Sequence, residues 1–313
     1  MLTRIANSLY WTGRYLERSE HLARYLRVQY FSMQDIPMQD SRAFTLRSIE
    51  RMYKGDNDPE KTLSEAEVLR SVGMSYEEPS SIRSTVRLAR ENARALRHVI
   101  STELWESINA FYLYCNNFSP DFFVTHGLHE FTSEVGRCCA IIRSRLDDTL
   151  LQDETWTLMK LGIHLERAVQ LLRILLSKLY DIEEMNARGD NPILRQYQGT
   201  VILKILEGFD LHQQIYHQPL SPQTTVDFLV AHPQFARSAT YNLRAVTTLI
   251  ERLDGNAPEK NPVLFQAGKL FHYFRYLEYA EVEDDLVGQL SKALDSVYAL
   301  HDAIQARYFG ESE

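Results

Sequence analysis

The stretch SLYWTGRYLERSEHLAR at residues 8–24 returns 149 positions later as TLMKLGIHLERAVQLLR at residues 157–173. Seven positions are identical in the two copies, and they include a glycine, a glutamate and two arginines as well as leucines. A repeat half a chain away indicates a duplicated helical unit. We therefore expect one domain over residues 1–313, built from repeats at approximately 1–150 and 151–313 that are related by a pseudo-twofold axis.

The composition favours an all-α fold. The chain has 313 residues, 44% of them hydrophobic and 24% charged, with only 13 glycines and 10 prolines. This length is enough to bury a large core. No long run of β-branched residues alternates with period two, so the pattern predicts helices throughout.

The charge and the cysteines limit the class of partner. The net charge is −8, which disfavours bulk attraction to nucleic acid or to anionic lipid. No apolar stretch has the length of a signal peptide or a membrane span, and the three cysteines lack the spacing of a disulfide framework. We expect a soluble, cytoplasmic protein with no nucleic-acid or membrane partner.

Start and stop signals place several helices. The two copies of the repeat are predicted to lie on long helices at about Thr3–Phe31 and Glu154–Glu184, with breaks at residues 34–40, 186–192 and 254–262. Helices are expected to start at Ser101, at Ser119-Pro120-Asp121 and at Ser221-Pro222.

Two further prolines, Pro79 and Pro233, are expected to open equivalent helices in the two halves. Aligning these prolines at an offset of 154 pairs Arg83 with Arg237 and Arg90 with Arg244. A competing offset of 150 would instead pair Asn92 with Asn242.

A polar stripe runs along each repeated helix. Glu17, His21 and Arg24 fall within about 60° of one another on the helix surface, as do Glu166, Gln170 and Arg173. The second helix is otherwise apolar nearly all round, which is typical of a buried helix, and buried charges need partners.

Within each helix the glutamate and the last arginine are about 10 Å apart along the axis, too far for a direct pair. We therefore expect the two long helices to pack antiparallel, with Glu17 approaching Arg173 and Glu166 approaching Arg24. Arg18 and Arg167 lie about 100° round from the adjacent glutamates and should address other neighbours. Gly13 and Gly162 predict a close crossing of another backbone.

Two interpretations of the stripe stay open. One is a buried polar network that only fixes the packing of two helix bundles. The other is a pocket in which arginines hold a carboxylate or phosphate and a glutamate serves as acid, base or amine anchor. The candidate catalytic residues are Glu17, His21 and Glu166. The candidate binding residues are Arg14, Glu17, Arg18, Arg24, Arg83, Arg90, Asn92, Glu166, Arg167, Arg173 and Arg237.

Other sites are less favoured by the sequence. A di-iron centre needs Glu-x-x-His spacing, whereas Glu17 and His21 are four residues apart and Gln170 replaces the histidine in the second copy, so we predict no metal and no cofactor. The arginine run at residues 83–97 is interpreted as a solvated face, with docking of an acidic partner as the alternative. Nucleic acid comes last because the run contains no interleaved aromatic residues.

Three segments resemble the bacterial alpha-E domain family, a helical family named for its Glu-Arg motif. MLTRIANSLYWTGRYLERSEHLAR at 1–24 resembles the family's opening, and PSSIRSTVRLARENARALR at 79–97 with STELWESINAFYL at 101–113 resembles its second hallmark. LDSVYALHDAIQARYF at 294–309 is similar to the closing helix. The family motif maps onto Gly13, Arg14, Glu17, Arg18, Arg24, Arg83, Arg90, Glu91, Asn92, Arg94, Gly162, Glu166 and Arg167.

The second copy departs from this motif. Ile163 stands where the first copy has Arg14, and residues 243–247 lack the RENAR of the first half. If the repeats carry a site, the two halves are therefore not expected to be equivalent.

The resemblance also implies a functional context. Alpha-E proteins are typically encoded beside, or fused to, circularly permuted ATP-grasp ligase-like proteins, often with transglutaminase-like proteases nearby. The resemblance thus implies an accessory helical protein that binds the ligase, or its peptide-like substrate, during amide or peptide bond formation. The alternatives are an enzyme of the same pathway that uses Glu17 and His21 for proton transfer, and a structural homodimer.

Overall fold

The computed structural model describes residues 2–32, 41–55, 64–187, 192–255 and 261–310. Within these ranges the regular secondary structure is helical and no β-strand is present, which confirms the predicted all-α fold. The predicted break at residues 34–40 lies outside the described residues, as do the central parts of those at 186–192 and 254–262.

Seven α-helices precede the second copy of the repeat. They are α1 (Thr3–Ser32), α2 (Ser41–Lys54), α3 (Glu65–Gly73), α4 (Ile82–Ala95), α5 (Thr102–Asn117), α6 (Pro120–Phe122), which continues as a π-helical turn over Phe123–Gly127, and α7 (Leu128–Thr149).

The second copy lies on the first of eight further helices. They are α8 (Glu154–Ala187), α9 (Pro192–Ile205), α10 (Phe209–Tyr216), α11 (Pro222–Val226) with a π-helical turn over Asp227–Ala231, α12 (Ala239–Asp254), α13 (Pro262–Arg275), α14 (Tyr279–Val282) and α15 (Leu286–Ile304) with a π-helical turn over Gln305–Phe309.

Serine side chains start several of these helices as predicted. The hydroxyls of Ser101, Ser119 and Ser221 each accept a hydrogen bond from a first-turn N–H, and they begin α5, α6 and α11. Such caps satisfy N–H groups that have no partner inside the helix, so a local sequence signal suffices to place them.

The predicted start of a helix at Pro233 is wrong. Ser238 caps α12 and Ser81 caps α4, so the corresponding helix starts are 157 residues apart rather than 154. The His232 ring instead accepts from the N–H groups of Gln234 and Phe235, which holds the chain in a turn ahead of the cap. The 154-residue alignment was wrong because Pro233 lies in the turn before α12 and not at the start of the helix.

The two long helices lie side by side at the centre of the fold and run parallel. Residues of α1 contact residues of α8 in the same order along both helices: the Tyr25 hydroxyl lies 3.0 Å from that of Ser177, and Lys178 donates to the side chain of Gln29. The predicted antiparallel packing is therefore wrong. α4 and α7 pack on α1, and α12 and α15 pack on α8.

The crossing of α1 and α8 depends on two glycines, as the sequence predicted. A Cβ on Gly13 would collide with the Met159 carbonyl oxygen, and one on Gly162 with the Tyr10 carbonyl oxygen. Both carbonyl oxygens belong to the backbone and cannot move away as a flexible side chain could. A residue larger than glycine is therefore not accommodated at either position. The two contacts are reciprocal at the 149-residue offset of the repeat.

Candidate functional site

Beyond this crossing, each Glu-Arg dipeptide binds the dipeptide of the other helix. Arg167 donates from Nε and Nη2 to the two carboxylate oxygens of Glu17, at 2.7 and 3.1 Å. Arg18 binds Glu166 in the same way, with the same two distances. Parallel packing brings equivalent levels of the helices together, so these two arginines point across the interface.

The predicted pairs of Glu17 with Arg173 and of Glu166 with Arg24 are wrong. Both carboxylates are already held by the dipeptide arginines. Arg173 instead donates to the carbonyl oxygens of Met52 and Tyr53, at the C-terminal end of α2, where carbonyls lack partners inside the helix.

We call Arg14, Arg18, Glu166 and Gln170 the Glu166 cluster. Besides Arg18, the Glu166 carboxylate accepts from Arg14 Nε at 2.6 Å and from Gln170 Nε2 at 2.7 Å. Burial alone would raise the pKa of Glu166, but the charges of Arg18 and Arg14 bring that pKa well below its ordinary value. Glu166 is inaccessible to solvent, and both of its oxygens are bound.

Glu17 is also held as a buried carboxylate. Burial opposes its ionisation, but the charge of Arg167 and the hydrogen bond with His21 keep the pKa of Glu17 well below its ordinary value. Burial lowers the pKa of His21 to about 4, so its imidazole is neutral at pH 7. Because an ionised carboxylate only accepts hydrogen bonds, His21 donates from Nε2 to Glu17 over 3.1 Å.

A second group of charges lies one turn further along α1. We call Glu20, Arg24, Arg143, Glu207 and Arg237 the Glu20 cluster. Arg24 Nη1 lies 3.0 Å from both the Glu20 and the Glu207 carboxylate. Arg143 and Arg237 also contact Glu20, and Arg237 contacts Glu207. Burial and the charge of Glu17 oppose ionisation of Glu20, but Arg24 and Arg143 lower its pKa to about 2.

The arginines of the Glu20 cluster have more donors than their neighbours accept. Arg24 Nε and Nη2 and Arg237 Nη1 are buried, and within the described part of the chain none of them has an acceptor. Three guanidinium groups share two carboxylates here, so the cluster carries a net positive charge. Burial, and next the charge of Arg24, lower the pKa of Arg237.

Glu207 covers this cluster from outside. It lies in the turn between α9 and α10 with a φ of +54°, in the left-handed region that costs a non-glycine residue about 1 kcal/mol or more. Its side chain is 51% exposed, whereas that of Arg24 is 4% exposed and that of Arg237 14%. A half-exposed carboxylate thus caps two largely buried guanidinium groups.

Comparison with known proteins places this Glu-Arg core in a family. A family model named Alpha-E, described as a predicted alpha-helical domain with a conserved ER motif, matches residues 1–309. The chain belongs to the Alpha-E family. No curated protein and no solved structure matches it.

The remaining predicted site residues of this Alpha-E chain do not join the two clusters. Arg83 is buried and donates to the carbonyl oxygens of Cys115 and Phe118 at 3.0 and 2.6 Å, where α5 ends. Arg90, two turns further along α4, pairs with Glu91 and donates to the Asn109 side chain of α5. Asn92 is half-buried on the same helix. The candidate binding residues therefore do not gather in one pocket, and Arg83 and Arg237, which the 154-residue offset aligns, make different contacts.

The arginine run itself contains no aromatic residue, but aromatic rings of α5 pack against two of its arginines. Arg90 lies 5.1 Å from the Tyr112 ring centroid, and Arg97 lies 5.3 Å from that of Trp105. The sequence did not indicate this contact because the rings are on α5.

The sequence also missed four functional-looking charges. Glu20 and Arg24 have the four-residue spacing of a helical pair, which could have revealed Glu20. Arg143 and Glu207 come from distant elements and carry no such pattern. Lys178 is fully buried, donates to Asp181 Oδ2 at 2.6 Å and to Ser48 Oγ at 3.2 Å, and so joins α8 to α2.

The described residues contain neither a cluster of metal ligands nor a membrane-spanning helix. Within them, no three His, Cys, Asp or Glu side chains come together as ligands for a metal ion. None of the helices they form combines the length and the apolar content that crossing a lipid bilayer requires.

Proposed function

We propose that this Alpha-E chain is an accessory helical protein that works with an ATP-grasp-type ligase in amide or peptide bond formation. In this proposal it recognises a carboxylate of the ligase or of its peptide-like substrate at the Glu20 cluster. The observation that carries the proposal is the set of three buried guanidinium nitrogens that lack acceptors in the described chain. The association with a ligase comes from the resemblance of the sequence.

The chemistry of the cluster favours a carboxylate. A guanidinium group presents donors in a planar fork that matches two carboxylate oxygens, and such charge-assisted hydrogen bonds are among the stronger ones. Glu207 supplies one carboxylate to Arg24 and Arg237 but leaves Arg24 Nε, Arg24 Nη2 and Arg237 Nη1 without acceptors. A ligand carboxylate that enters beside Glu207, or replaces it, would satisfy these donors.

The same geometry gives little support to proton transfer by Glu17 and His21. Glu17 is 1% exposed and bound on both oxygens by Arg167, so its proton affinity is low. His21 is equally buried, and burial lowers its pKa to about 4. A general base works best when its pKa lies near the working pH. We therefore propose a binding role for the neighbouring arginines instead.

Carboxylate recognition can be tested by isothermal titration with a triglutamate peptide and with its uncharged analogue triglutamine. We expect the protein to bind triglutamate and to discriminate against triglutamine. Arg237→Gln should weaken binding of triglutamate about tenfold or more, because it removes a charge-assisted contact.

Arg137→Gln is the matched control, because Arg137 is an exposed arginine on α7 whose partner, Glu134, lies on the same helix. This variant should bind triglutamate as the wild type does. Equal affinity for both peptides, or equal loss in both variants, would contradict the proposal.

The ligase part of the proposal needs a separate test. The chain should co-purify with an ATP-grasp ligase encoded beside it, and the addition of ATP and peptide substrate should strengthen the association. Absence of association under both conditions would contradict the partner while leaving carboxylate binding to be judged by titration.

A further inference from the structure

A cavity lies away from the Glu-Arg clusters, at the C-terminal end of α8. It has a volume of about 880 Å³ and opens between α8, α9, the start of α11 and the start of α15. Its floor is apolar. The floor includes Leu175, Leu179, Ile202, Val226, Leu286 and Leu290.

Acidic side chains surround the mouth of this cavity. Glu183, Glu283, Asp284 and Asp285 line it together with one cation, Arg195. Asp285 accepts from the Gly288 N–H and so caps α15. Glu183, Glu283 and Asp284 are exposed and form no ion pair within the described ranges. With four acidic side chains and one cation, the mouth carries a net negative charge.

We propose that this cavity binds an amphipathic cation, with an apolar group against the leucine-rich floor and an ammonium or guanidinium group between the acidic side chains of the mouth. Charge complementarity at the mouth selects a cation and disfavours a fatty acid or another anionic amphiphile. Burial of the apolar group on the floor supplies the main free energy of binding.

The size of the cavity favours a small ligand over a folded partner. Ligand pockets typically enclose about 300–1,000 Å³, are mostly apolar and contain a few polar groups that orient the ligand. The volume of about 880 Å³ falls in this range. The occupant is thus an apolar amine, or a short peptide that carries an apolar and a basic side chain.

This site is independent of the proposed carboxylate recognition. Its first floor residue on α8, Leu175, lies nine residues beyond Glu166 in the sequence, or about 13 Å along the helix. None of the residues in the Glu166 or Glu20 clusters lines the cavity. Failure of triglutamate binding would therefore leave the present proposal intact.

The test compares two probes of equal chain length and opposite charge, octylammonium and octanoate, by isothermal titration with the full-length protein below the micellar concentration. We expect octylammonium to bind about tenfold more tightly than octanoate. Equal affinities, stronger binding of octanoate or no binding of either probe would overturn the proposal.

Two variants locate the bound probe. Glu283→Gln combined with Asp284→Asn should weaken octylammonium roughly 5- to 10-fold and leave octanoate no weaker. Glu281→Gln is the matched control, since Glu281 is an exposed acid on α14 that does not line the cavity. Ile182→Trp, which enlarges a side chain that lines the cavity, should weaken binding of octylammonium.

Retention of wild-type affinity in Ile182→Trp, or equal loss in the Glu281→Gln control, would place the probe elsewhere and overturn the proposal. Should Ile182→Trp fail to fold, the paired neutral substitutions at the exposed mouth still decide the outcome.

Discussion

The Glu166 cluster and the Glu20 cluster use the same residue types to different ends. In the Glu166 cluster one carboxylate, inaccessible to solvent, is bound by two arginines and a glutamine. In the Glu20 cluster three arginines share two carboxylates, one of which is half-exposed, and three nitrogens lack acceptors in the described chain. Satisfied charges hold helices together, whereas unsatisfied ones leave capacity for a ligand.

A few sequence differences account for this contrast. Arg14 adds a second arginine to Glu166, while the equivalent position of the second copy is Ile163 and adds none to Glu17. The first copy has Glu20 where the second has Val169, so only α1 carries the carboxylate that gathers Arg24, Arg143 and Arg237. The carboxylate at the centre of the Glu20 cluster is thus specific to the first copy of the repeat.

The largest expected effect separates the two clusters by stability. Glu166→Ala leaves Arg14 and Arg18 buried without their carboxylate, and we expect a loss of about 3–5 kcal/mol in the free energy of unfolding. Glu207→Ala removes a half-exposed carboxylate and should cost less than about 1 kcal/mol. Urea unfolding measures both values. Equal losses in the two variants would contradict the different roles assigned to the two clusters.

The next effect concerns the crossing that brings the clusters together. Gly13→Ala and Gly162→Ala place a methyl group against backbone of the other helix, and each should cost about 1–3 kcal/mol. Gly136→Ala is the control, because that glycine faces open space within α7 and its replacement should stabilise the helix by about 0.5–1 kcal/mol. Thermal unfolding reports all three. A neutral Gly13→Ala would contradict the close approach.

A smaller effect distinguishes His21 from its counterpart Gln170. Because the pKa of His21 is about 4 in the folded protein and near 6.5 in the unfolded chain, its contribution to stability is present above pH 6.5 and is lost as the pH falls toward 4. Between pH 7 and pH 5.5 the free energy of unfolding of the wild type should fall, and the titration of His21 should account for about 1 kcal/mol of this decrease.

His21→Gln should keep the fold, since Gln170 donates to Glu166 from the equivalent position, and should remove that part of the pH dependence. Urea unfolding at both pH values measures the difference. If His21→Gln lost as much stability as the wild type between pH 7 and pH 5.5, His21 would not titrate in this way.

Local signals in the sequence predicted the helices well. The bounds of α1 and α8, and the serine caps of α5, α6 and α11, depend on neighbouring residues and were confirmed. The direction of packing was wrong because periodicity defines which face of a helix is buried and leaves its orientation relative to a neighbour open. The duplication itself stays a prediction, which the reciprocal contacts of Gly13 and Gly162 support.

The candidate site was only partly predictable. The sequence identified Arg24 and Arg237 but assigned them to a pocket with Arg173, which caps α2 instead. Arg143 and Glu207 come from α7 and from a turn, and no periodic pattern connects them to α1. Such pairings depend on which distant segments pack together in the fold. The spacing of residues in a single sequence does not reveal this.

The difference between the two clusters is tested most directly by a titration with triglutamate, followed by nuclear magnetic resonance at the arginine Nε–H groups. The unsatisfied Glu20 cluster should respond and the closed Glu166 cluster should not. We expect the Arg24 and Arg237 signals to shift with a common affinity, while the Arg14 and Arg18 signals stay in place. Shifts at Arg14 and Arg18 without shifts at Arg24 and Arg237, or no shift at any of them, would contradict this expectation.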